Sequence, residues 1–556
     1  GTDKKALNDQ INRQSIVRSK YNFYKNGTVS AELVARPLRD LHFTTDVAET
    51  PMFTVNNRMF VNSLFWVGIL ILLVALINYI NFATANAPRR IKSISITRVI
   101  GSSRYHSVFN FILETVIIFA LSFLIALGIA WVMNHYFTKG VLGYSLPFES
   151  NYLLIILFGA GSLILGALSG LYPAIYCTAG KPVETMKRFQ VNGKVNFRGM
   201  LTVSQFAATI VLIAASILVI KQVRFMEKTN LGFQKENTLV IRMNNDLETN
   251  YTAFRDQLLT MPGVNGIARS RAVPGQAQEI NTFNVNGQTC PIWYWAVDDQ
   301  YIEMMEISII EGRNFLKNSE SEERNMICNE TAARKFGWTI GTKIGDGVLV
   351  GIMKDFNFVS LREDVEPFAF WYTKSNNFFR CISIKLNSEH VSETLASIGK
   401  AYSEISPSNP MRYYFLDNHL NLLYSKENQQ VKLITTFSLL SVIVSVLGIL
   451  GLSTFMCRYR IKEIGIRKVN GAKVNEMMAM LNRDFIKWVI IAFLIGAPVA
   501  WYVMQQWLNS FAYKTNLSWW IFAVAGLLAL IIAMITVSWQ SWKAATRNPV
   551  EALRYE

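Results

Sequence analysis

Two stretches of this chain repeat one another in the residues that could bind a partner. Arg90–Ser102 reads RIKSISITRVIGS and Arg460–Ala472 reads RIKEIGIRKVNGA, with seven of thirteen positions identical at an offset of 370. The chemistry on offer is binding, not catalysis. In the second copy Ile461, Ile464 and Ile466 supply a small apolar face. Arg460, Lys462, Arg467 and Lys468 supply a basic one, and Gly471 ends the helix as a C-cap would. Such a helix either lies on anionic lipid or docks in a partner's groove. Lipid attraction does not require the same residue order twice, so the duplication favours docking. The loop ends repeat as well: Lys181–Glu184 is KPVE and Asn548–Glu551 is NPVE, at an offset of 367.

Other reactive residue types are dispersed. The five cysteines (Cys177, Cys290, Cys328, Cys381, Cys457) form no Cys-x-x-Cys, and the five histidines are scattered, so local spacing builds no metal site. The chain holds no G-x-x-x-x-G-K-[ST] phosphate loop and is not itself a P-loop ATPase. Asp298, Asp299 and Glu303 read better as the acidic start of a helix than as a ligand cluster. Trp293, Tyr294 and Trp295 read as a strand with alternating burial.

The elements that must position the repeated helix are membrane spans. Charged residues make up only 17% of the 556, against roughly a quarter in soluble domains, and hydrophobic residues make up 51%. Seven stretches are long and apolar enough to cross a bilayer: Val61–Thr84, about Val116–Met133, Tyr152–Tyr176, Leu201–Ile220, Leu433–Met456, Trp488–Leu508 and Trp519–Trp539. Their cores contain no Asp, Glu, Lys or Arg, which argues against an ion-coupled carrier. The net charge of +16 collects in the short loops that carry the repeats and in the tail after the seventh span. Under simple alternation these segments share one side, the cytoplasmic one by the positive-inside rule. Topology thus accounts for the basic excess without nucleic acid. Gly166 and Gly170 in the third span, and Gly448 and Gly451 in the fifth, allow close helix crossing.

Between the fourth and fifth spans, about Val223–Lys432 reads as an α+β domain. Strands are predicted over Asn237–Met243, Ile292–Val297, Asn325–Cys328, Val348–Met353 and Cys381–Leu386, and helices over Thr252–Thr260, Asn329–Phe336 and His390–Tyr402. The expected order is 1–60, the end of a first extracytoplasmic domain; 61–199, a three-helix module; 200–222, a span opening the second copy; 223–432, the second extracytoplasmic domain; and 433–556, the second three-helix module. The repeat unit is a helix, an external domain and three helices. On that unit, a first helix and most of a first external domain are expected ahead of Gly1.

The repeated RIKEIGIRKVNGA, the Pro-Val-Glu ends and this repeat unit together resemble the FtsX/MacB-type permease family of ABC transporters. Glu311–Phe315 (EGRNF), Asn329–Gly337 (NETAARKFG), Asp355–Phe358 (DFNF) and Asn78–Ala85 (NYINFATA) are similar to that family's external domain and to its join with the membrane domain. The two-copy form resembles the large eight-helix permeases common in Bacteroidetes-type bacteria. The resemblance implies an α-helical polytopic protein of the bacterial inner membrane with a MacB-like periplasmic core domain. It implies a non-enzymatic permease subunit that couples ATP binding and hydrolysis by an ABC-type ATPase, as a dimer, to movement of its extracytoplasmic domains, for export or mechanotransmission. ATP and magnesium would belong to that partner, with a further extracytoplasmic protein partner possible and no nucleic acid. The ATPase-coupling role then falls on Ile461, Lys462, Glu463, Ile464, Gly465, Arg467, Lys468 and Gly471, and in copy one on Ile91, Lys92, Ile94, Arg98 and Gly101. Ser93 and Ser95 stand where copy two has Glu463 and Gly465, so the two contacts are expected to be unequal, with copy two the stronger. The other reading open to the sequence is a receptor whose external domain signals to a cytoplasmic partner.

Overall fold

The computed structural model describes residues 58–136, 148–178, 196–276 and 279–546. Seven helices in these ranges are long and apolar enough to cross a membrane. They are α1 (Arg58–Ala85), α3 (Arg104–Tyr136), α4 (Tyr152–Thr178), α5 (Asn196–Lys228), α9 (Ser425–Tyr459), α11 (Val474–Leu508) and α12 (Trp519–Ala545). The repeated segments form two short helices, α2 (Ala87–Val99) and α10 (Ile461–Val469). The segments KPVE and NPVE, and all of 1–57, lie outside the described residues. The chain divides into an α+β unit (224–426 with 510–514) and a helical unit (59–223, 427–509 and 515 onward).

In the helical unit, small residues set how closely the helices cross. A Cβ at Gly166 would lie 3.0 Å from the Phe119 side chain, and one at Gly170 would lie 2.8 Å from Thr115 Oγ1, so α4 can approach α3 only with glycine at both places. In the second half α5 is the most enclosed of the seven spans. Its Phe206, Ile210, Ala214 and Leu218 pack with Ile449 and Leu452 of α9, Phe485 and Val489 of α11 and Ala525 and Ala529 of α12. Polar side chains fix the rotation of α5 against α9. Gln205 Nε2 donates to the Ser445 carbonyl oxygen (3.1 Å), and the Thr209 and Ser445 hydroxyls lie 2.7 Å apart.

The strands of the α+β unit are β1 (Thr238–Arg242), β2 (Val264–Ser270), β3 (Glu279–Val285), β4 (Gln288–Val297), β5 (Ile309–Gly312), β6 (Met326–Asn329), β7 (Lys343–Ile344), β8 (Gly347–Met353), β9 (Phe368–Tyr372), β10 (Cys381–Leu386) and β11 (Tyr413–Phe415). They form one mixed sheet in the order β11-β1-β10-β2-β4-β9-β6-β8-β5, with β3 paired to β4 and β7 to β8. One apolar core forms where Leu239, Ile241, Ile382 and Ile384 meet α6 (Tyr251–Leu259) and α8 (Val391–Ile405). The sequence motifs of this unit prove to be fold-forming. Asn329 caps α7 (Glu330–Phe336), its side chain accepting from Ala332 N (2.9 Å), and Gly337 ends that helix in the left-handed conformation (φ 68°). Asp355 accepts from the backbone N–H and hydroxyl of Thr331 (3.0 and 2.7 Å), while its own N–H donates to Glu330 (3.1 Å). The following Phe356 and Phe358 are buried among Phe368 and Phe370.

A buried carboxyl gives this unit a pH dependence. The Asp298 carboxylate accepts from the Arg269 backbone N–H (2.7 Å) and lies 3.6 Å from its Nε, while the guanidinium sits between the rings of Tyr251 and Phe379. Burial pushes the Asp298 carboxyl up to about 6, against the lowering pull of Arg269. Because the folded-state value is raised, this group's contribution to stability is complete below the ordinary carboxylate range and is lost as pH rises through about 6. The scale is on the order of 2–3 kcal/mol. The α+β unit should therefore unfold more readily at pH 7.5 than at pH 4.5, and Asp298→Asn should flatten that slope. Thermal unfolding followed by tryptophan fluorescence reads it, and an unchanged slope would show that burial of Asp298 is not its source.

Candidate docking interface

Helices α2 and α10 are built alike. Pro88 lies in the first turn of α2, where a missing N–H costs nothing. Both helices end on a glycine at positive φ, Gly101 (111°) and Gly471 (89°). The same two backbone bonds close the turn: Gly101 N to Arg98 O and Ser102 N to Thr97 O in one, Gly471 N to Lys468 O and Ala472 N to Arg467 O in the other. The two glycines are thus required by the turn in each copy.

Each helix is held to its module by two matched polar contacts. Arg90 pairs with Glu114 of α3, and Arg460 with Asp484 of α11 (3.0 Å). Glu114 and Asp484 are themselves 370 apart. The hydrogen bond to Glu114 raises the Arg90 pKa above the ordinary arginine value and keeps the pair charged. At the other end Arg98 Nη1 donates to the Thr178 carbonyl oxygen (3.2 Å) and Lys468 Nζ to that of Ala545 (2.8 Å). Those carbonyls belong to the last residues of α4 and α12, where a cation also meets the negative end of the helix dipole.

The apolar side chains divide between two faces. Ile464 is buried with Met477, Leu481 and Ala545, and Ile94 and Ile91 pack with Phe111 and Cys177. Gly465 and Ser95 are buried as well. Pointing away are Ile466 (54% exposed) and Val469 (64%) in α10, and Ile96 (42%), Val99 (60%) and Ile100 (81%) at α2. The single apolar face read from Ile461, Ile464 and Ile466 is therefore corrected. At 100° per residue, positions two apart lie on nearly opposite sides of a helix. Nor do the basic residues form one free face. Arg460 and Lys468 are engaged inward, and Arg467 pairs with Glu463 on its own helix (2.8 Å).

Among the residues expected to couple, Ile91, Ile94, Arg98, Ile464, Gly465 and Lys468 face or anchor the module, Gly101 and Gly471 shape the helix ends, and Glu463 and Arg467 lie half-exposed. The side chains of Lys92, Ile461 and Lys462 fall outside those described. Sequence reasoning missed the outward Ile96, Val99, Ile100 and Val469 and the carboxylates Glu114 and Asp484. The signal was present in part, since Ile96/Ile466 and Val99/Val469 are identical pairs of the repeat.

Known proteins match both halves of this arrangement. The family described as FtsX-like permease C-terminal matches residues 65–182 and again 435–549. The chain is 21% identical over 338 residues to the "Uncharacterized ABC transporter permease YknZ" of Bacillus subtilis (strain 168), covering 56% of this chain and 83% of that one. It is 34% identical over 99 residues to the "Macrolide export ATP-binding/permease protein MacB" of Chlorobium phaeobacteroides, 17% of this chain but only 15% of that protein's length. Among solved structures, the periplasmic region of MacB from Actinobacillus actinomycetemcomitans aligns at TM-score 0.27 and 10% identity, over 35% of this chain and 97% of that one. The extracellular domain of the YknZ transporter aligns at TM-score 0.23 and 18% identity, over 32% and 98%.

Proposed function

We propose, from the premise that this chain is an ABC permease of the FtsX/MacB type with two FtsX-like modules, that its two short helices α2 and α10 are the cytoplasmic seats of a partner ATPase. ATP and magnesium act in that partner, and this chain turns the resulting motion into movement of its extracytoplasmic α+β domain. The observation that carries the reading is the doubled construction. Each helix is tied down by an Arg–carboxylate pair and a capped helix end, yet keeps isoleucine and valine exposed on its outer face. An apolar face held rigidly in the open suits a partner that docks.

Continuity of the backbone supports a mechanical role. Helix α9 runs unbroken for 35 residues, ~52 Å, from Ser425 to Tyr459, and α10 begins two residues later. Only Arg460 separates them, and its side chain is the one clamped by Asp484. In copy one, Asn86 alone separates α1 from α2. A push on the short helix therefore enters a long stiff one through a one-residue joint. The uncharged span cores favour transmitted motion, or extraction of a substrate from the outer side, over a hydrophilic channel.

The orientation is open to direct test. In a background without the five native cysteines, Lys317→Cys should react with an impermeant thiol reagent in intact spheroplasts, and Lys473→Cys only after lysis. The reverse pattern would overturn the topology. Retention of a kinase by the purified chain, instead of an ATPase, would turn the assignment to a receptor.

A further inference from the structure

Helices α1 and α9 open the two permease modules and correspond at the 370-residue offset of the repeat. At that offset Asn78 matches Gly448 and Asn81 matches Gly451. The first of these matched pairs, Asn78 and Gly448, is in direct contact. The Asn78 carboxamide lies directly on Gly448, where any Cβ would overlap it, and its Nδ2 donates to the Val444 carbonyl oxygen (2.5 Å). One turn on, a Cβ at Gly451 would lie 3.2 Å from the Phe82 ring. Contact between equivalent positions is what a two-fold relation between two modules produces, because residues near the axis face their own counterparts. In a pair of identical modules both counterparts would be the same residue. Here one is a side chain and the other a space.

We infer that Asn78 and Gly448 form a knob and socket that directs module one to pair with module two of the same chain and disfavours pairing of like modules from two chains. Two copies of module one would set asparagine against asparagine in a gap that admits one carboxamide. Two copies of module two would set glycine against glycine, leaving a void and no side-chain donor for the carbonyl at position 444. Shape and the single hydrogen bond together carry the selectivity. The Asn78 Oδ1 atom is buried and accepts no hydrogen bond, so the bond from Nδ2 is the one this carboxamide makes across the contact. In an apolar solvent a lost interhelical contact is not replaced by water, so a mismatch of this kind discriminates between pairings. The inference rests on the two-module reading but not on the docking of an ATPase.

The test is a disulfide between Phe82→Cys and Gly451→Cys in the whole chain lacking its native cysteines, formed by mild oxidation in membranes. It is read by mass spectrometry as a linked peptide from the monomer band. Gly448→Asn should lower its yield by roughly ten-fold or more, the scale of an overpacked contact. Asn78→Gly combined with Gly448→Asn moves the knob to the other helix and should restore the parental yield, which also shows that the single variant had not simply misfolded. Full yield from Gly448→Asn alone, or no recovery in the swap, would overturn the inference. The readout contains no ATPase, so it can fail while the docking proposal stands, and the reverse.

Discussion

Replacing Ile466 and Val469 together by aspartate is expected to strip the partner ATPase from the purified chain while leaving the helical unit intact. Both side chains are more than half exposed and lie outside the buried cluster that holds Ile464, so the fold has little to lose. In a docked complex each would enter an apolar contact, where burying such a side chain is worth about 1.5–3 kcal/mol. Two losses, with two carboxylates in their place, amount to a weakening on the order of 100-fold or more. The same pair of changes at Ile96 and Val99 should weaken the seat of copy one. Ile464→Ala is the internal contrast. It opens a cavity beneath α10 and should cost about 2–5 kcal/mol of local stability, not a binding contact. Glu463→Ala should matter little, because its exposed partner Arg467 lies on the same helix and such pairs are worth about 0–1 kcal/mol. Retention of ATPase on the immobilised chain, compared across these variants, is the measurement. Unchanged retention in Ile466→Asp, Val469→Asp would remove the outer face from the account.

Breaking the clamp at the joint is expected to have a different signature. Asp484→Ala leaves the Arg460 guanidinium, about a quarter exposed, without its carboxylate at the one residue between α9 and α10. The cost should be about 1–3 kcal/mol, between that of an exposed and a buried pair. That is enough to loosen α10 but not to erase its outer face. The ATPase should still bind, with stimulated hydrolysis reduced roughly ten-fold, as amide exchange across 461–471 accelerates. Exchanging the charges, Arg460→Asp with Asp484→Arg, should recover much of both. Glu114→Ala should act more weakly, since the Arg90 pair is the more exposed of the two. Wild-type exchange in Asp484→Ala would show that the ion pair does not hold the joint.

The membrane architecture was legible because its signal is compositional: each predicted span lies within an observed helix, whichever neighbours that helix has. The helices run past the apolar cores. About Val116–Met133 becomes Arg104–Tyr136, since the polar turns at the membrane edge continue the same hydrogen-bond ladder. In the α+β unit β1, β4, β6, β8 and β10 fall where strands are predicted. Strand β2 escaped because VNGIARS shows neither alternation nor a pure apolar run, and β3 because EINTFNV is half polar. The ends of the two short helices were readable from Gly101 and Gly471. The division of their faces was not, because which isoleucine turns inward depends on Leu481, Ala545 and Phe111, brought there by other helices. The pairing of Glu114 and Asp484 with the repeat arginines was not readable for the same reason: each sits 24 residues beyond the arginine it holds.

The central claim is that one chain offers two seats for ATPase subunits, and the stoichiometry of the complex tests it most directly. Native mass spectrometry of the detergent-solubilised chain with its ATPase, in the presence of a non-hydrolysable ATP analogue, should give two ATPase subunits on one copy of this chain. Asp substitution of the outer faces of both α2 and α10 should reduce that complex to the bare chain. A complex of two chains with two ATPase subunits would contradict the account, as would an unaltered complex in the doubly substituted chain.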